Sequence, residues 1–167
     1  DYRSSRGLGD VYKRQQGEPE AGDWVRVCAN KGAVLGWGHF APNASIAVRM
    51  LSFDEACPDE AWWHQRIANA VAVRRDLSLF QSDKQNACRL VHAEGDGLPG
   101  LIADFYNGVL VLQCHTPGMH RALPILTQSF QMALGDMLIG IYDKSSKTLS
   151  KNGGEASEDG WIWGQAP

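Results

Sequence analysis

The chain has 167 residues, 44% of them hydrophobic and 21% charged, an ordinary globular composition with enough chain for one full domain or two small ones. Its net charge of −3 supplies no broad positive field, so any contact with nucleic acid must come from a local patch of cations. No apolar run approaches the ~18 residues that cross a bilayer, and no charged–apolar–small leader opens the chain; a cytoplasmic protein without membrane contact is expected.

The first fifteen residues, DYRSSRGLGDVYKRQ, lack apolar periodicity and resemble translated sequencing-adapter read-through, so residues 1–15 are set aside as a non-native segment. Without their four basic and two acidic side chains, the net charge moves from −3 to −5. Gln16 to Gly22 then leads straight into a strand with no earlier element to pair with, which predicts a β domain that lacks its first strand.

Asp23 to Ala29 reads as a strand, with Trp24, Val25 and Val27 as its β-formers. Asn30-Lys31-Gly32 reads as a hairpin turn into a second strand, Ala33 to Phe40, where Gly36 and Gly38 allow a bulge or a close backbone approach. Pro42 to Ser45 breaks the pattern, and Ile46 to Leu51 makes a third strand. Such short, glycine-punctuated strands suit part of a small β barrel.

Cys57-Pro58-Asp59-Glu60 is expected to open a helix that runs to about Asp76, since proline suits a first turn and acids favour its positive end. Trp63, Ile67, Ala70 and Val71 recur on one face, and the stripe continues onto Arg74, which must snorkel outward or find an acid. Leu77 to Asn86 reads as connective. Leu101 to Phe105 and Val109 to Cys114 flank Asn107-Gly108, a strong hairpin signal because both turn residues tolerate positive φ. Leu123, Leu126, Phe130 and Leu134 predict a helix with Pro124 in its first turn and Gly135 as its cap. Met137 to Tyr142 is expected as a strand and Asp143 to Gly160 as an exposed loop. Trp161-Ile162-Trp163-Gly164 resumes a strand with no visible partner.

Cys28, Cys57, Cys88 and Cys114 form no close pair, which argues against zinc and for reduced, mostly buried thiols; no metal is expected. The five histidines show no ligand spacing, and the glycines Gly95, Gly97 and Gly100 precede a strand, the reverse of a dinucleotide fingerprint. In EGDGLPG, Glu94 and Asp96 are expected to pair with Arg74 or Arg89 and lock the loop, the favoured alternative to acid–base chemistry by Glu94, Asp96 and His92. Candidate RNA contacts are Lys31, Trp37, His39, Asn43, Ser45 and Arg49, which combine cations with aromatic neighbours along the β segment. An ordinary solvated surface would use the same residue types.

Two stretches carry a family resemblance. Gly22 to Ser52, GDWVRVCANKGAVLGWGHFAPNASIAVRMLS, resembles the PUA domain of the bacterial large-subunit ribosomal RNA cytosine-C5 methyltransferases. Arg89 to Gln113, RLVHAEGDGLPGLIADFYNGVLVLQ, resembles that family's central-domain signature. The resemblance implies an α+β fragment: an incomplete PUA-like β barrel over residues 16–55, then a partial small α/β central domain over 56–167, with the Rossmann-like methyltransferase domain absent. It implies large-subunit rRNA as partner, S-adenosylmethionine as cofactor of the full-length family and none in this fragment. No catalytic residue carries over, because no cysteine here lies in a matching motif. A stand-alone RNA-binding adaptor is the other reading, to be distinguished by the partnerless strand at Trp161.

Overall fold

A computed structural model describes residues 17–42, 44–80, 85–151 and 157–165. The segment 1–15 and Asn43 lie outside the described residues. Strands β1 (Trp24–Cys28), β2 (Val34–Phe40) and β3 (Val48–Ser52) form an antiparallel sheet in the order β1-β2-β3. Its register shifts at Val27/Cys28 and again at Trp37/Gly38, so the ladder is irregular where the two strand glycines sit.

Helix α1 (Glu60–Asp76) begins later than expected. The Asp59 carboxylate accepts from the Trp62 N–H at 2.9 Å and caps the helix, which leaves Pro58 ahead of the cap rather than inside the first turn. Trp63, Ile67, Ala70 and Val71 are its buried residues.

The second sheet has the order β4-β5-β6-β7-β8 and is mixed: β6 and β7 run parallel, and the other neighbours are antiparallel. Its strands are β4 (Ala87–His92), β5 (Leu101–Tyr106), β6 (Val109–Cys114), β7 (Gly140–Asp143) and β8 (Gly160–Gly164). Asn107 and Gly108 both take positive φ, 45° and 94°, in the turn between β5 and β6. Gly108 also has a second role, because its carbonyl accepts from the Ile139 N–H at 2.7 Å and a Cβ there would meet Ile139 Cδ1 at 2.5 Å. Helices α2 (Pro117–Arg121) and α3 (Leu123–Leu134) make the crossover that a parallel β6–β7 pair requires. A continuous apolar core joins α1 and α3 to the larger sheet, with Ile67, Leu90, Leu101, Leu112, Leu126 and Phe130 fully enclosed.

Four further expectations about the elements change. Strand β4 ends on His92, which was expected on or beside a strand whose bounds the sequence did not show; its Leu90 and Val91 are both buried, which breaks the alternation that would announce it. The strand expected from Met137 starts at Gly140, after a 3-10 turn over Gly135–Met137. The polar stretch after Asp143 contains helix α4 (Ser146–Lys151), anchored by Leu149, which is 1% exposed. Finally, β8 does have a partner: it pairs with β7, Ile141 opposite Trp163 and Tyr142 opposite Trp161, so this strand no longer distinguishes the fragment reading from the adaptor reading. Of the cysteines, all free, Cys28 and Cys57 are exposed and Cys114 alone is buried, so the thiols are not mostly buried. Among the described residues no helix is long and apolar enough to cross a membrane, and no group of three potential ligands could hold a metal ion.

Candidate nucleic-acid interface

Trp24, His39 and Arg49 are Cα partners across the three strands of the small sheet and therefore share one of its faces. That face meets the rest of the molecule. His39 is 4% exposed, its ring 4.3 Å from Trp24 and stacked on Trp63 at 6.2 Å and 24°. Behind it lies Gly118, where any Cβ would run into the imidazole. Burial, helped by the charge of Arg121, pushes the His39 pKa down to about 4, so the ring is neutral at pH 7. Its Nδ1 is buried without a hydrogen-bond partner among the described residues. His39 is therefore withdrawn from the candidate RNA contacts, because other aromatic rings already enclose it.

The other candidates are placed differently. Lys31 is exposed at the tip of the β1–β2 hairpin, which the Ala29 N–H closes onto the Ala33 carbonyl at 2.8 Å. Trp37 is half-buried and donates through Nε1 to the Glu55 carbonyl at 3.0 Å. Ser45 is exposed between β2 and β3. Arg26, not singled out in the sequence, is exposed directly opposite Trp37. Cross-strand pairing was the signal that would have found it. Arg49 reaches away from its own sheet and binds Glu94 at 3.1 Å.

Glu94 belongs to a 3-10 turn, Ala93–Asp96, closed by Gly97 with φ of 67°. The pairing around this turn is divided. Arg74 grips Asp96 with both terminal nitrogens, one of them at 2.8 Å from Oδ2, and the His92 N–H donates to the same oxygen at 2.6 Å. Arg89 does not touch the turn; it binds Asp104 at 2.7 and 3.0 Å, its partner directly across the β4–β5 ladder. Asp104 was missed because antiparallel register is invisible until both strands are known.

Burial alone would raise the Asp96 pKa, but hydrogen bonds from Arg74 and the His92 backbone, with the Arg74 charge, outweigh it and hold the carboxyl below its usual range. A general acid needs the opposite shift, so Asp96 does not supply the raised carboxylate that an acid–base reading of this turn requires. Near Arg49 and Glu94, burial lowers the His115 pKa, with Arg49 adding to the shift and Glu94 opposing it. On α1, Arg66 stacks over Trp62 at 5.1 Å, and a Cβ at Gly97 would lie 3.1 Å from its Nη1. Arg66 is thus the cation that flanks the same turn from the helix side.

Comparison with known proteins agrees with this architecture. Residues 9–53 match the PUA-like domain family, a match that starts inside the segment set aside from the sequence. The chain is 37% identical over 158 residues to ribosomal RNA large subunit methyltransferase I of Shewanella denitrificans, covering 94% of this chain and 39% of that protein. It is 34% identical to the protein of the same name from Shewanella frigidimarina, with the same coverage. The chain thus spans about two fifths of the length of the curated relatives it matches. Among solved structures, a protein described as a SAM-dependent methyltransferase from Streptococcus mutans superposes with a TM-score of 0.74 at 13% identity, over 90% of this chain and 37% of that one. A methyltransferase structure in complex with SAH superposes at 0.72 and 14% identity, over 87% of this chain and 35% of that one. The resemblance carried by the two motifs therefore extends along nearly the whole chain.

Proposed function

We propose that this chain, a relative of the large-subunit ribosomal RNA methyltransferases, is the N-terminal, RNA-binding part of an enzyme that makes 5-methylcytosine in large-subunit rRNA. The observation that carries the reading is the 37% identity over 158 residues to a protein of that name, along a chain whose PUA-like segment abuts a mixed α/β unit. In this reading residues 16–55 are the PUA-like part and 56–167 the central part. S-adenosylmethionine and the nucleophile that adds to the base belong to the larger share of the relatives outside the match. The enzyme works in the cytoplasm, where rRNA is made in bacteria.

The exposed end of the small sheet would meet RNA. Lys31 and Arg26 supply phosphate contacts, Trp37 an aromatic edge beside Arg26, and Ser45 a hydroxyl on the neighbouring loop. Asn43, which lies outside the described residues, stays in the proposal on the sequence alone. The chain's negative net charge makes such a patch recognisable only by local cations. The test is titration of a labelled large-subunit rRNA fragment with the chain at several salt concentrations. Binding should weaken with salt, and replacing Lys31 and Arg26 together by Ala should lower affinity and reduce the salt slope by roughly one per lost phosphate contact. Unchanged affinity and slope would remove this patch from the interface, and failure to bind rRNA at all would end the reading.

A further inference from the structure

Three arginine–carboxylate pairs, two at the 93–97 turn and one on the adjoining β4–β5 ladder, are built to different standards. Asp96 receives two contacts from Arg74 and one from the His92 backbone, and its side chain is 11% exposed against 14% for Arg74. Asp104 receives two contacts from Arg89 and its side chain is 12% exposed, against 47% for Arg89, so two-point contact rather than burial of the arginine holds this pair. Arg49 and Glu94 share one contact of 3.1 Å, with Glu94 65% exposed. Two of these are locks. The third is an open pair of the kind that adds little to stability, and a phosphate offers the same guanidinium a bidentate alternative.

Arg66 lies on the other side of the turn, against Gly97 and over the Trp62 ring. No carboxylate among the described residues pairs with it. The turn between these cations is held by the Gly97 N–H on the Glu94 carbonyl at 3.1 Å and the Leu98 N–H on the Ala93 carbonyl at 3.0 Å. Arg49 comes from β3 and Arg66 from α1, so a strand of phosphates crossing the turn would touch both sheets' neighbourhoods at once.

We infer that the 93–97 turn is a phosphate-backbone subsite for RNA, with Arg49 and Arg66 as its cations and Glu94 as the internal anion that RNA displaces. The inference rests on the proposed RNA-binding role. It adds a second contact region, on the junction, to the exposed end of the small sheet. Glu94 acts as a latch that keeps the Arg49 guanidinium aimed at the turn and sets a threshold for weak anions, since a competitor must outbid its single contact.

The experiment uses the full chain, a fluorescein-labelled RNA hairpin, and the variants Glu94→Asp, Arg66→Gln and Arg49→Ala. Glu94→Asp keeps the charge and is one methylene too short to hold the contact. It should tighten hairpin binding roughly twofold to fivefold, the worth of an exposed pair, while Arg66→Gln and Arg49→Ala weaken binding and reduce its salt slope. If Arg49→Ala weakens binding but Glu94→Asp leaves it unchanged, the latch is overturned and the RNA reading stands. If Arg66→Gln changes neither affinity nor slope, Arg66 is no part of the subsite and the two-cation site is overturned. If the chain binds no hairpin in any form, the RNA reading falls and takes the subsite with it.

Discussion

In the five-stranded sheet, Leu90, Val91, Leu101, Ala103, Leu110, Leu112 and Ile141 are buried among aliphatic neighbours and the helices α1 and α3. The strands of the three-stranded sheet bury Leu51, Ser52, His39 and the glycines Gly36 and Gly38, and nothing else. The larger sheet thus supplies most of the core, to which the smaller one adds Leu51, and the rest of the smaller sheet's protection comes from a junction in which Trp24 and His39 meet Trp63 and Gly118. Three strands without an independent core are marginal in water. The order of the small sheet should therefore depend on the larger unit, and not the reverse.

The largest effect expected from this asymmetry comes from the shared core. Phe130 on α3 is fully enclosed, so Phe130→Ala should cost about 3–5 kcal/mol of unfolding free energy, read from urea denaturation followed by circular dichroism. Amide exchange should show β1–β3 and β4–β8 losing protection together. Persistent protection of β1–β3 in that variant would show that the small sheet stands alone, and the comparison would fail.

Acid should act on the junction first. The pKa of His39 is about 4 in the fold against an ordinary 6.5, so folding favours the neutral ring. Its contribution is complete above pH 6.5 and is lost as pH falls from 6.5 towards 4, by roughly 3 kcal/mol at most. Asp96, whose pKa is depressed from 3.8, contributes stability that is lost only at lower pH, so the two windows separate. His39→Phe should reduce the slope of urea midpoints between pH 7 and pH 5, leaving the part that comes from His115, whose pKa burial also lowers. An equally steep pH dependence in that variant would place the sensitive group elsewhere.

How much of this was legible in the sequence follows from which information is local. The Asn107-Gly108 hairpin, the α1 stripe and the Leu123–Leu134 periodicity are all written within a few neighbouring residues, and the turn, the buried face and the third helix are where those patterns place them, α1 differing only in where it starts. What could not be read is what depends on register and docking. His39 looks like an exposed aromatic until Trp63 and Gly118 arrive from residues far along the chain. Arg89 looks free to reach the Glu94–Asp96 turn until β4 pairs with β5 and sets Asp104 opposite it. Strand β8 looks partnerless because β7 is separated from it by helix α4. For the candidate site, residue types were readable; the division of cations between locks and the open pair was not.

The smallest of the three effects tests the junction most directly, because its sign decides. Gly118 lies in the short helix α2, where alanine would ordinarily be favoured over glycine by about 1 kcal/mol. A helix-only account therefore predicts that Gly118→Ala stabilises the protein. The junction account predicts the reverse, since the new methyl group would occupy the space of the His39 ring, and that ring cannot retreat from Trp24 and Trp63. Overpacking of this kind costs about 1–3 kcal/mol, which leaves a net loss of up to ~2 kcal/mol once the helix gain is subtracted. Amide exchange should assign that loss to β1–β3 while β4–β8 keep their protection. Combining Gly118→Ala with His39→Ala should cost less than the sum of the two single changes, because the smaller side chain leaves room for the methyl group. Additive costs would mean that the two residues do not share a contact, and the small sheet would then have to be held by something other than this junction.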